Sequence, residues 1–201
     1  MIAESPVARL RGRSTPPAWG RPKVWGRASL LALAVIGLEW TRAVAAQQPG
    51  LTVISLVVGG AALAATAMLF PAARLGLGAS HLGLRLLGGI ALGAVLLLPA
   101  AVRPAAVPLL PGGLAMAAVV VSIGEELAFR GALYTTLDEV GGAPLAVLGS
   151  TVLWTFAHVM SHPAEFLGAV AAAGLLLALW RWACKDVVGP IVGHVLADLA
   201  L

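Results

Sequence analysis

The chain has 201 residues, 60% of them hydrophobic and only 11% charged, with one cysteine. Soluble domains carry about 25% charged residues, so a soluble fold is excluded and an all-α, polytopic transmembrane helix bundle of about seven spans is expected. Cys184 alone cannot form an internal disulfide or a multi-cysteine metal site, and the formal net charge of +4 reads as topogenic, with no nucleic-acid partner.

Residues 1–25 are rich in Pro and Arg and read as a disordered basic cytoplasmic tail; residues 26–201 read as a single transmembrane helical domain. Arg9, Arg11, Arg13, Arg21, Lys23 and Arg27 precede the first apolar run. That is the positive-inside pattern, and it keeps the N-terminus cytoplasmic. The first span is expected near 27–46, ending at QQPG, the second near 51–70, and the third near 84–102 with a soft break at Pro99. A Pro-rich link leads to the fourth, near 114–134, and DEVGGAP is read as a turn. The fifth is expected near 144–161, the sixth near 164–182, and a short seventh from 187 to the C-terminus. This topology puts Arg74, Arg85, Arg181 and Lys185 on the cytoplasmic side. The expected setting is a bacterial plasma membrane, with membrane lipid as a partner.

The fourth span carries SIGEELAFRG at residues 122–131. A charge near the bilayer centre is unfavourable by roughly 2.5–3.5 kcal/mol, so such residues face a bundle interior or a wet cavity and mark function. Glu126 and Arg130 are four apart on one helix face and can neutralise each other. Glu125 is turned about 100° from Glu126 and has no partner on its own helix. A buried, unpaired Glu can serve as a general acid or base.

Two more spans carry polar groups. The fifth has Trp154 one turn before His158, and the seventh has His194 one turn before Asp198. Packed together, these helices offer a base, a polarising partner and oxyanion donors, the inventory of water activation. Glu39 and Arg42 lie near the outer end of the first span and read as interfacial, with snorkelling side chains. His162 follows His158 by one turn, but Pro163 disfavours helix there, against a His-x-x-x-His metal pair. Asp138, Glu139, Glu165 and Asp186 sit at span ends and read as solvated.

Glu125-Glu126-x-x-x-Arg130, Trp154-x-x-x-His158 and His194-x-x-x-Asp198 resemble, in order and spacing, the three motifs of the CPBP (CAAX protease and bacteriocin-processing, Abi) family of intramembrane glutamic proteases. The likeness covers residues 114–201; the N-terminal spans carry no recognisable motif. The resemblance implies an intramembrane endopeptidase that hydrolyses peptide bonds of membrane-associated substrates, a polypeptide or lipidated peptide, with a glutamate-activated water. It assigns Glu125 as catalytic, His158 as its partner, and His194 with Asp198 as the oxyanion pair. Glu126, Arg130 and Trp154 are supporting. No cofactor is expected, since a His-Glu-x-x-His signature is absent. The alternative is a divalent metal such as Zn held by Glu125, His158 and His194.

Two departures stand out. Trp154 holds a position usually taken by Phe, an aromatic-for-aromatic swap. Asp198 stands where Asn is common; an ionised carboxylate cannot donate to an oxyanion, so it is either protonated or orients His194. The drawn spans also set His158 roughly 9 Å off the centre of its helix, while Glu125 and His194 lie near mid-span. A kinked fifth span or offset helices would reconcile them. The competing readings are a non-catalytic scaffold or immunity-type protein of the same fold, and a proton-coupled transporter. The intact motifs favour the protease.

Overall fold

In a computed structural model, residues 22–78, 80–98 and 110–200 are described. The expected tail residues up to Arg21, Pro99 and most of the Pro-rich link lie outside them. The described residues form helices joined by short turns, with no strand among them. They are α1 (Pro22–Ala46), α2 (Thr52–Ala65), the short α3 (Ala72–Leu75), α4 (Leu82–Leu96), α5 (Gly112–Glu125), α6 (Tyr134–Ala157), α7 (Leu167–Cys184) and α8 (Val188–Ala200). Helix α1 begins at Pro22, inside the stretch read as tail.

Sequence punctuation sets the boundaries. Pro71 forces Phe70 into an extended conformation (φ −131°, ψ 146°) and ends the turn that follows α2. Pro111, itself extended, precedes α5. A π-helical segment, Glu126–Leu133, links α5 to α6. Seven of its eight residues are buried, because helices pack on it from all sides. A helix buried all round occupies the centre of a bundle.

The bundle is inverted relative to a soluble protein. Leu33 is 70% exposed, while Arg130 is 0% exposed. An outer surface of leucine, valine and isoleucine suits hydrocarbon, and polar groups are driven inward to find partners. Among the described residues, four helical stretches are long and apolar enough to cross a membrane: Pro22–Ala46, Thr52–Leu69, Gly112–Met160 and Ala164–Cys184. Two shorter apolar helices, Leu82–Leu96 and Val188–Ala200, accompany them. The protein is thus an integral membrane helix bundle, built from helices of unequal length.

The long stretch Gly112–Met160 is a hairpin. Gly142 adopts φ 72°, ψ −173°, a conformation open to glycine, and Gly141 is also non-helical. Residues 137 and 149 would stand about 18 Å apart on a straight helix, yet a Cβ on Gly149 would lie 3.0 Å from Leu137 Cδ1. Only Gly141 and Gly142 of the DEVGGAP stretch leave helical geometry. Glu125 precedes Gly141 by 16 residues and His158 follows Gly142 by 16, so the two face each other across the hairpin. The apparent offset of His158 came from span ends drawn by composition, which cut the first arm short.

Helix α2 crosses α5 at minimal distance, because glycines meet there. A Cβ on Gly60 would lie 2.9 Å from the Val120 carbonyl oxygen, and one on Gly124 would strike the Gly60 backbone. Backbone cannot give way as a side-chain tip can, so the crossing fixes α5 one residue before Glu125. Gly124→Ala is expected to lower stability by about 1–3 kcal/mol. Gly37→Ala, where a Cβ meets nothing within 4 Å, should leave stability unchanged or slightly raised. Thermal unfolding in detergent of both variants checks the contrast.

Candidate active site

Each predicted site residue is buried or lines one cavity, and the three motifs converge. Glu125 ends α5 and is 2% exposed. Its Oε2 accepts from Trp154 Nε1 at 2.8 Å and lies 3.5 Å from His158 Nε2. His158 Nδ1 lies 2.8 Å from the Trp154 carbonyl oxygen. A carbonyl can only accept, so Nδ1 carries a proton and Nε2 is turned toward Glu125.

Glu126 faces the other way. Its Oε1 accepts from Arg130 Nη1 at 3.1 Å and stands 2.9 Å from His194 Nδ1. His194 Nε2 lies 3.5 Å from Asp198 Oδ2. The imidazole is thereby strung between two carboxylates. Asp198 Oδ2 is also 2.8 Å from Ser122 Oγ, one α5 turn before the glutamates.

Trp154 is the hub. Its indole N–H binds Glu125, and its ring lies under the Arg130 guanidinium at 4.3 Å. It meets His158 at 4.5 Å and His194 at 5.6 Å between centroids, both edge-on. Phe at this position would pack but could not donate, so the substitution adds a hydrogen bond to Glu125 that the aromatic-for-aromatic reading did not contain. Arg130 Nη2 donates to the Gly174 carbonyl on α7 at 3.2 Å.

A cavity of about 420 Å³ opens over these groups. Arg42, Glu125, Trp154, His158, His194 and Asp198 line its polar side, and Val95, Leu96, Phe166, Leu176 and several alanines line the rest. His162 joins the rim with its ring 5.2 Å from His158. Burial, and then His158, hold its imidazole below the usual range.

Residues 107–200 match a family model described as Rce1-like, type II CAAX prenyl endopeptidase. This C-terminal segment is similar to the Rce1-like family. That is the family of membrane proteases its three motifs resemble. No curated protein and no solved structure matches the chain.

Two residues outside the matched segment also reach the site. Glu39 and Arg42 of α1 are not interfacial: they are 0% and 8% exposed, and Arg42 Nη2 lies 3.1 Å from Glu125 Oε1. Glu125 is therefore not the unpartnered carboxylate its own helix suggested. The signal was present as an acid and a base three residues apart in an apolar run, the same kind of signal as Glu126 and Arg130. Asp186 is likewise buried, and its carboxylate caps α8 by accepting from Val188 N at 3.0 Å and Gly189 N at 2.8 Å.

Among the described residues, the group of three donor residues whose atoms all lie within 4.8 Å of one another is Glu39, Glu125 and His158. His194 is outside that group, engaged by Glu126 and Asp198. Arg130 holds Glu126, the π-helical segment and α7 together, so Arg130→Ala takes the guanidinium from a buried carboxylate and leaves it His194 alone. A loss of about 3–5 kcal/mol is expected, measured by chemical unfolding in micelles. Full stability with lost substrate binding would instead make Arg130 a substrate anchor.

Proposed function

We propose that the protein is an intramembrane endopeptidase in which Glu125 activates a water against a peptide carbonyl. The observation that carries this reading is a carboxylate held on both oxygens at a cavity wall, facing His158 and within the same lining as His194 and Asp198. Each carboxylate oxygen has two acceptor sites, so Glu125 Oε2 can still accept from a water while Trp154 holds it. A positioned carboxylate and imidazole on one water is the arrangement general base catalysis requires.

The steps follow from these positions. Water oxygen bonds to the carbonyl carbon, and its proton passes to Glu125. His158 receives a second hydrogen bond from the same water through Nε2. The carbonyl oxygen becomes an oxyanion, stabilised by the single His194 Nε2–H, which it shares with Asp198 as a bifurcated donor. The C–N bond then breaks as Glu125 returns its proton to the leaving amine. Glu126 fixes the His194 ring through Nδ1, and Asp198 orients it from the other side, which is the role a carboxylate can fill there.

The substrate reading is an extended peptide carrying an apolar or lipidated flank. It is supported by the apolar far wall of the cavity, where Ala169, Ala172 and Ala173 leave room beside Leu176 and Phe166. The family description, a CAAX prenyl endopeptidase, is compatible with that class. The basic N-terminal segment supports a cytoplasmic N-terminus.

The test is cleavage of a membrane-tethered peptide library by purified protein. Glu125→Gln should fold and lose about 10²–10⁴-fold in kcat. Asp198→Asn should keep or raise activity, because an amide can both orient His194 and donate to an oxyanion. Cleavage undiminished in Glu125→Gln would remove the mechanism, and no cleavage by the unaltered chain would favour the scaffold.

A further inference from the structure

Helix α1 lies outside the matched segment, yet it puts a charged pair against Glu125. Arg42 Nη2 bonds Glu39 Oε1 and lies 3.1 Å from Glu125 Oε1. Arg42 Nε donates to Glu39 Oε2 at 3.1 Å. With Trp154 on Glu125 Oε2, all four oxygens of the two carboxylates already accept an N–H. Glu39, Glu125 and His158 have the donor types and the closeness of a divalent-metal triad. They do not fit one as they stand. A guanidinium bridges the two acids where a cation would sit, and its charge opposes another.

We infer that Arg42 is the resident cation of this acidic cluster: a positioning residue that bridges Glu39 and Glu125, aims the Glu125 carboxylate at His158, and keeps divalent metal out. Glu39 serves to hold the guanidinium fork, which matches a carboxylate with two parallel donors. This makes α1 part of the active site. It rests on the reading of Glu125 as the catalytic base for its kinetic part only; metal exclusion is a separate property of the folded cluster. A guanidinium is a fixed cation that needs no uptake from solution. It also leaves the second acceptor site of each oxygen open to water.

The experiment is Mn²⁺ titration of the full chain in nanodiscs, followed by calorimetry and by electron paramagnetic resonance, beside the cleavage assay. The unaltered chain and Arg42→Lys should show no Glu39-dependent Mn²⁺ site. Arg42→Ala should gain one Mn²⁺ per chain, and adding Glu39→Gln should abolish it. In cleavage, Arg42→Ala should lose at least about tenfold in kcat with KM little changed, the signature of a misaimed base. Methylguanidinium should restore part of that loss, which it could not do for a merely structural helix contact. A Glu39-dependent Mn²⁺ site in the unaltered chain overturns the inference, and that measurement stands even if Arg42→Ala fails to fold. So does a folded Arg42→Ala that gains no ion, or one that cleaves at the full rate. If the unaltered chain cleaves nothing, the protease reading fails while the titration still decides the role of Arg42.

Discussion

Burying three glutamates, with Asp198 half-buried beside them, is the constraint around which this apolar bundle is arranged. Glu39, Glu125 and Glu126 are each no more than 2% exposed, and Asp198 borders the same cavity. Carboxylates held in low dielectric must be paired or hydrogen-bonded. Arg42 and Arg130 supply two positive charges, and Trp154, Ser122 and His194 supply further contacts. The partners come from α1, α5, the π-helical segment, α6 and α8, so pairing the acids and assembling the bundle are one event. Removing one partner leaves a buried charge without its compensating contact.

Close packing makes that pairing geometrically possible. The glycine crossing of α2 on α5 fixes the helix just before Glu125. The Gly141–Gly142 hairpin then brings Trp154 and His158 level with it. The π-helical segment lies between them at the centre of the bundle. Such segments are rare and occur often at functional sites. Here the adjacent side chains of Glu125 and Glu126 serve different partners: one turns to α1 and α6, the other to Arg130 and α8.

Much of this was legible in the sequence. Charge placed in apolar runs located Glu125, Glu126, Arg130, His158 and His194, because hydrocarbon tolerates such residues only where they have work and partners. Helical spacing paired Glu126 with Arg130, as found at 3.1 Å. What spacing could not supply was contact between helices. Glu39 and Arg42 form a plausible snorkelling pair when α1 is read alone, and only packing shows that Arg42 reaches across 83 residues to Glu125. The same limit applies to Trp154, whose N–H matters only once Glu125 is seen opposite it. Asp186 looked solvated because its position at a span end is shared by capping and by exposed residues alike. Helix ends estimated from composition displaced His158, whereas the backbone freedom of two adjacent glycines set its true level.

The most direct test of the account is the origin of the oxygen in the new carboxylate. A single turnover in H₂¹⁸O, with enzyme in excess over a cleaved membrane-tethered peptide, reports it by mass spectrometry of the N-terminal product. Water activated by Glu125 adds to the substrate carbonyl itself, so the product should carry one ¹⁸O from solvent. If Glu125 instead attacked the carbonyl and the resulting anhydride opened at the enzyme's own carboxyl carbon, the product would carry a protein oxygen. A product free of ¹⁸O in that first turnover would contradict the account.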